Sequence, residues 1–115
     1  MLARDYITAE EWQLLAFFEA EPKRLDPYLQ WPYNTFEYRT RIDDLDITFS
    51  VEPAHKDFTL TVMRTGVKHL EYTALSVEDI RYHDDAGEWL EILLPQLRRE
   101  LRLRPTFSLL GLHRP

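Results

Sequence analysis

From Phe36 to Ala74 apolar and polar residues alternate. Phe36, Tyr38, Thr40 and Ile42 interleave with Glu37, Arg39 and Arg41, and Leu45, Ile47, Phe49 and Val51 interleave with Asp46, Thr48, Ser50 and Glu52. Successive side chains of a strand point to opposite faces, so a period of two makes a strand with one apolar and one polar side. A two-residue turn at Asp43-Asp44 pairs Ile42 with Leu45, Thr40 with Ile47 and Tyr38 with Phe49. Every apolar residue then lies on one face, with Arg41 opposite Asp46 on the other. Asp-Asp is not a favoured hairpin dipeptide, so a looser turn is left open. In a second hairpin, Phe58, Leu60 and Val62 alternate with threonines, and Leu70, Tyr72 and Ala74 alternate with His69, Glu71 and Thr73. A two-residue loop at Thr65-Gly66 would set Leu60 against Glu71. A three-residue loop, Arg64-Thr65-Gly66, sets Leu60 against Leu70 and Phe58 against Tyr72, with Gly66 in a left-handed position, and is the one expected.

Ahead of these strands, Thr8-Ala9-Glu10-Glu11 reads as a capping box, with Ile7 and Trp12 as its hydrophobic staple. Leu14, Leu15, Phe17 and Phe18 make the apolar face of a helix that Pro22 ends near Ala20. Pro22, Pro27 and Pro32 exclude a regular helix or a central strand over residues 22–35, and Tyr28, Trp31 and Tyr33 mark that stretch as an ordered loop rather than a linker.

Residues 76–104 admit two readings. Ser76-Val77-Glu78-Asp79 suits a helix cap, and Leu90, Leu93, Leu94, Leu97 and Leu101 have helical spacing, but Pro95 interrupts it. The favoured reading is a strand from Val77 to His83, a turn at Asp84-Asp85-Ala86-Gly87, and a returning strand from Trp89 to Leu94. Alternation resumes through Leu101, Leu103, Pro105, Phe107 and Leu109, which predicts one further strand, at an edge or with a bulge. The expected fold is α+β: an N-terminal helix packed on an antiparallel sheet of about six strands, in one domain spanning residues 1–115.

The cysteine count of zero excludes disulfides, thiolate metal sites and cysteine nucleophiles. The opening residues, Met1 to Tyr6, carry no apolar leader, and no run is long enough to span a bilayer, so a cytoplasmic location is expected. The net charge of −6 is unevenly spread: residues 1–97 hold nine Lys/Arg and nineteen Asp/Glu, whereas residues 98–115 hold five arginines and Glu100 alone. An acidic body repels nucleic acid and anionic membrane, so neither is an expected partner. Arg98, Arg99, Arg102 and Arg104 are read as an exposed strand face pairing with neighbouring acids rather than a phosphate grip.

Three glycines are too few for a P-loop or a dinucleotide fingerprint, and no serine sits in a nucleophile elbow. No catalytic group and no cofactor is expected. His83, Asp84, Asp85 and Glu88 offer metal-ligand chemistry, but a solvated turn accounts for them, as a hairpin tip does for Asp43, Asp44 and Asp46; no metal is expected.

A small acidic chain of this kind fits a non-catalytic protein-binding module, of the sort that neutralises a basic toxin or nuclease as an immunity protein does. The residues assigned to partner binding are Asp43, Asp44, Asp84 and Asp85, with Trp31 and Tyr33 of the aromatic loop. In a single meander the two acidic tips would share one rim, about 19 Å apart. The alternative is a small enzyme or ligand-binding domain built on His69, His83 and nearby carboxylates. Whether a second copy covers the polar sheet face is left open.

Overall fold

The computed structural model describes residues 6–113; Met1 to Asp5, read above as carrying no leader, and Arg114 of the basic tail lie outside them. The alternating runs form an antiparallel meander of β1 (Lys23–Arg24), β2 (Phe36–Ile42), β3 (Leu45–Glu52), β4 (Asp57–Arg64) and β5 (Val67–Ala74). A second antiparallel sheet holds β6 (Asp79–His83), β7 (Trp89–Leu93), β8 (Leu97–Arg102) and β9 (Ser108–His113), again in chain order. The expected single sheet of about six strands is thus corrected to two sheets of five and four strands.

Residues 75–78 make the break. Ser76 takes a left-handed φ of 51°. The Val77 N–H then donates to the Lys56 carbonyl and that of Glu78 to the Leu93 carbonyl, so the chain crosses between sheets instead of adding a sixth strand to the first. The second sheet also gains a strand over the sequence reading. The alternation from Leu101 to Leu109 is not one strand, because the chain bends at residues 104–106 and β9 returns along β8 with Leu101 opposite Leu109.

The β2–β3 hairpin has the predicted register, with Tyr38 opposite Phe49 and Arg41 opposite Asp46. Asp43 accommodates the tight turn at a φ of 55°. In the β4–β5 hairpin the loop is shorter than expected. Thr65 and Gly66, both at positive φ, make a two-residue turn that sets Met63 opposite Lys68. A bulge then skips His69, and Val62, Leu60 and Phe58 face Leu70, Tyr72 and Ala74. The expected Leu60–Leu70 pairing is therefore off by two residues. Burial demands that apolar side chains meet, and an extra strand residue supplies the parity that an extra loop residue was expected to supply.

Helix α1 (Glu11–Phe18) lies between the two sheets. Its Phe18 stacks on Tyr38 and Phe49, with ring centroids at 5.2 and 5.1 Å, while Phe17 meets Tyr82 of β6 edge-on at 6.5 Å. Its cap is two residues later than predicted: the Glu10 N–H donates to the Gln13 side chain, and the Glu10 carbonyl accepts from Gln13 and Leu14. Thr8 is used elsewhere, donating its N–H and hydroxyl to Asp79 at the start of β6. The staple fails too, because Ile7 is buried in the core while Trp12 stays 62% exposed. At the other end Glu19 turns left-handed, so the helix stops at Phe18, and Arg104 donates to the freed Phe17 carbonyl at 2.8 Å.

Tyr38 is fully buried and its hydroxyl has no hydrogen-bond partner among the described residues. Burial, then the nearby Glu11 charge, push its ionisation far above the usual tyrosine range. An unpaired buried hydroxyl is a net loss to folding, so Tyr38→Phe is expected to stabilise the protein by about 1–2 kcal/mol in urea denaturation. A destabilised variant would mean that the hydroxyl has a partner after all.

Candidate protein-docking surface

The acidic turns assigned from sequence belong to two different sheets rather than to one meander. Asp43 and Asp44 cap the β2–β3 turn, where Asp44 pairs with Arg64 at 3.0 Å. Asp84 and Asp85 belong to the β6–β7 turn of the other sheet, and Asp85 accepts from the Trp89 indole at 3.3 Å. The meander spacing of about 19 Å therefore does not describe the two tips. The ligand-like group at His83 is only partly together: His83 Nδ1 lies 3.9 Å from Asp85, but its Nε2 meets Glu91 at 3.1 Å, and Glu88 accepts from the Tyr82 hydroxyl at 2.5 Å. That hydrogen bond, with burial, pushes the Tyr82 pKa up to about 12.

His83 also stacks on Trp89, with centroids 4.1 Å apart, and Arg98 and Arg102 lie over the same indole. The carboxylate of Glu91 binds this group together from β7, reached by His83, Arg98 and Arg81. Of the arginines read as one exposed face, only Arg98 and Arg102 keep to it. Arg104 goes to the helix end, and Arg99 crosses to Tyr72 of the first sheet at 4.7 Å. His69, the bulge residue of β5, shares no contact with His83 among the described residues, so the histidine-centred reading gathers no site.

The aromatic loop is organised by a residue that the sequence reading passed over. Asn34, 3% exposed, is the only buried polar residue among those described. Its side-chain oxygen accepts from the N–H groups of Asp26 and Thr35, and its amide donates to the carbonyls of Asp26 and Leu29. Asp26 in turn accepts from the Tyr28 N–H. Trp31 anchors the loop, its ring 4.7 Å from that of Phe36 and packed on the core. Held so, the loop turns Tyr28 (92% exposed), Tyr33 (69%), Leu25 and Leu29 to solvent.

The β3–β4 turn lies beside this loop, since the Ala54 N–H donates to the Pro32 carbonyl and a shallow depression is lined by Tyr33, Glu52 and His55 among others. The ladder sets Glu52 directly opposite Asp57. Their carboxylates and a ring nitrogen of His55 lie within 4.8 Å of one another. The Glu52 hydrogen bond at 2.7 Å raises the pKa of His55. Lys56, in the same turn, points to the Glu78 carbonyl instead. The four-residue turn between Glu52 and Asp57 is visible in the sequence as a Pro-containing break between alternating runs, and completing the ladder across it would have found this pair.

No protein-family model matches the chain, and no curated protein matches it in sequence. Among solved structures, it is similar to a chain of the contact-dependent growth inhibition toxin–immunity protein complex from Klebsiella pneumoniae 342. The TM-score is 0.75 at 20% sequence identity, covering 97% of this chain and 98% of that one. At that identity the likeness establishes the fold.

Proposed function

We propose that this chain is a non-catalytic protein-binding module of the immunity type, which neutralises a basic toxin by binding it. The observation that carries the reading is the end-to-end fold likeness to a chain of a toxin–immunity complex. Charge favours the inhibitor's side of such a pair. A net −6 chain attracts a cationic partner, accelerates encounter and makes binding depend on salt. No helix among the described residues is long and apolar enough to cross a membrane.

The test is functional. The tagged chain is used to capture partners from its native cells at low and high salt, and each captured protein is then expressed alone and together with this chain. A basic protein that arrests growth alone, is released by salt and is harmless on co-expression is the expected result. Captured proteins that are harmless alone, or whose toxicity persists on co-expression, would overturn the reading. The acidic tips make a separate proposal with its own readout. If Asp43, Asp44, Asp84 and Asp85 steer association, their fourfold replacement by asparagine slows it and flattens its salt dependence without altering the thermal midpoint. An unchanged rate and slope would remove the tips from the interface.

A further inference from the structure

Two features of the first sheet's rim share an oddity. Loop 25–33 presents apolar area outward while being held rigid from inside. Four of the large apolar residues left exposed by the fold, Leu25, Tyr28, Leu29 and Tyr33, are on it. A loop that merely closed over the core would turn these inward, as it does Trp31. A rigid tyrosine-rich loop offers large contact area with little conformational entropy left to lose on binding. Beside it, Glu52 and Asp57 stand opposite each other across the ladder, an arrangement of like charges that weakens a sheet. His55 is set between them and the Ser76 N–H donates to Asp57 at 2.7 Å, whereas the one lysine in the turn is directed away, so no cationic side chain of the turn other than His55 meets the pair among the described residues.

We propose that these features form one docking surface for a partner protein presenting a lysine or arginine among apolar residues. The partner's cation enters between Glu52 and Asp57 beside Tyr33, and its apolar neighbours lie over Tyr28, Leu25 and Leu29. The assignment is made by charge complementarity: the carboxylate pair gains what the ladder denies it, and Tyr33 offers the cation a ring face. It rests on the reading of this chain as a protein-binding module and names where that binding occurs.

The test uses the full chain in its native cells with photo-reactive benzoylphenylalanine placed singly at Tyr28, Tyr33, Thr61 or Leu110. Thr61 samples the polar face of the first sheet and Leu110 the edge strand of the second. Irradiation is expected to give a protein adduct at Tyr28 and Tyr33 and none at the other two. Adding Glu52→Gln with Asp57→Asn should cut the yield about tenfold or more while far-ultraviolet dichroism shows the fold retained, and a chelator should leave it unaltered. Adducts at Thr61 or Leu110 instead, at no position, or unaffected by the double substitution overturn the proposal. Loss of the adduct with chelator does so too, because it assigns the Glu52–His55–Asp57 group to a metal ion. The toxicity of the adducted protein is scored separately. A harmless partner crosslinked at the loop sinks the immunity reading and keeps the surface; a neutralised toxin crosslinked elsewhere does the reverse.

Discussion

Phe49→Ala is expected to lower the free energy of unfolding by about 3–5 kcal/mol. Phe49 is fully buried in the middle of the first sheet, and its ring stacks on Phe58 at 5.4 Å and on Phe18 of the helix at 5.1 Å. Removing it deletes the middle member of a three-ring stack. Its neighbours are fixed by the β3 ladder on one side and the helix on the other, so they are poorly placed to collapse into the gap. A domain of this size has about 5–15 kcal/mol in total, so the variant loses roughly a fifth or more of its stability. Urea denaturation followed by both tryptophan fluorescence and far-ultraviolet dichroism measures the change, with exposed Val67→Ala as a control expected within about 0.5 kcal/mol. Because Phe18 belongs to the helix, amide exchange in Glu11–Phe18 should quicken more than in β8. A loss below about 1.5 kcal/mol would show that the stack is not the centre of the core.

Legibility in the sequence followed the range over which each feature is decided. The β2–β3 hairpin was readable residue by residue, because both strands alternate cleanly and a single turn joins them. The β4–β5 hairpin was readable only in parity: burial fixes which faces meet, but a bulge at His69 and a longer loop satisfy it equally, and the alternation cannot tell them apart. The break into two sheets was not readable. It rests on backbone bonds from Val77 to Lys56 and from Glu78 to Leu93, which join residues distant in the chain and carry no side-chain pattern. The helix cap was misplaced for a related reason. Thr8 has the right chemistry for a cap, and a carboxylate 71 residues away claims it. For the site, Tyr33 could be assigned from composition, but the aromatic loop's division into an inward Trp31 and an outward Tyr28 depends on Asn34, whose burial no local signal announces.

Asp79→Asn is expected to destabilise the protein by about 2–4 kcal/mol at neutral pH, and the difference should vanish in acid. One carboxylate here accepts four hydrogen bonds: from the Thr8 N–H at 2.7 Å, the Thr8 hydroxyl at 2.5 Å, the Ile80 N–H at 2.8 Å and the Arg81 guanidinium at 3.0 Å. The side chain is only 14% exposed. Together with the Ala9 N–H donating to the Ile80 carbonyl, it ties the segment before the helix to the second sheet, while Ile7 ties the same segment to Pro53 of the first. Burial pushes the Asp79 carboxyl up, but the donors from Thr8, Arg81 and Ile80 outweigh it and hold the group below its ordinary range. The sign follows from linkage. With the folded pKa below the unfolded one, Asp79 contributes stability above the ordinary carboxylate range, and that contribution is lost as the pH falls through the lowered folded value. Asparagine keeps one acceptor but replaces the other with a donor facing the Thr8 hydroxyl and Arg81, and it does not titrate. Thermal midpoints from pH 7 down to pH 2 should therefore fall more steeply for the natural chain than for Asp79→Asn, and the two curves should draw together at the acid end. Parallel curves would show that the carboxylate charge contributes nothing to holding the N-terminal segment between the sheets.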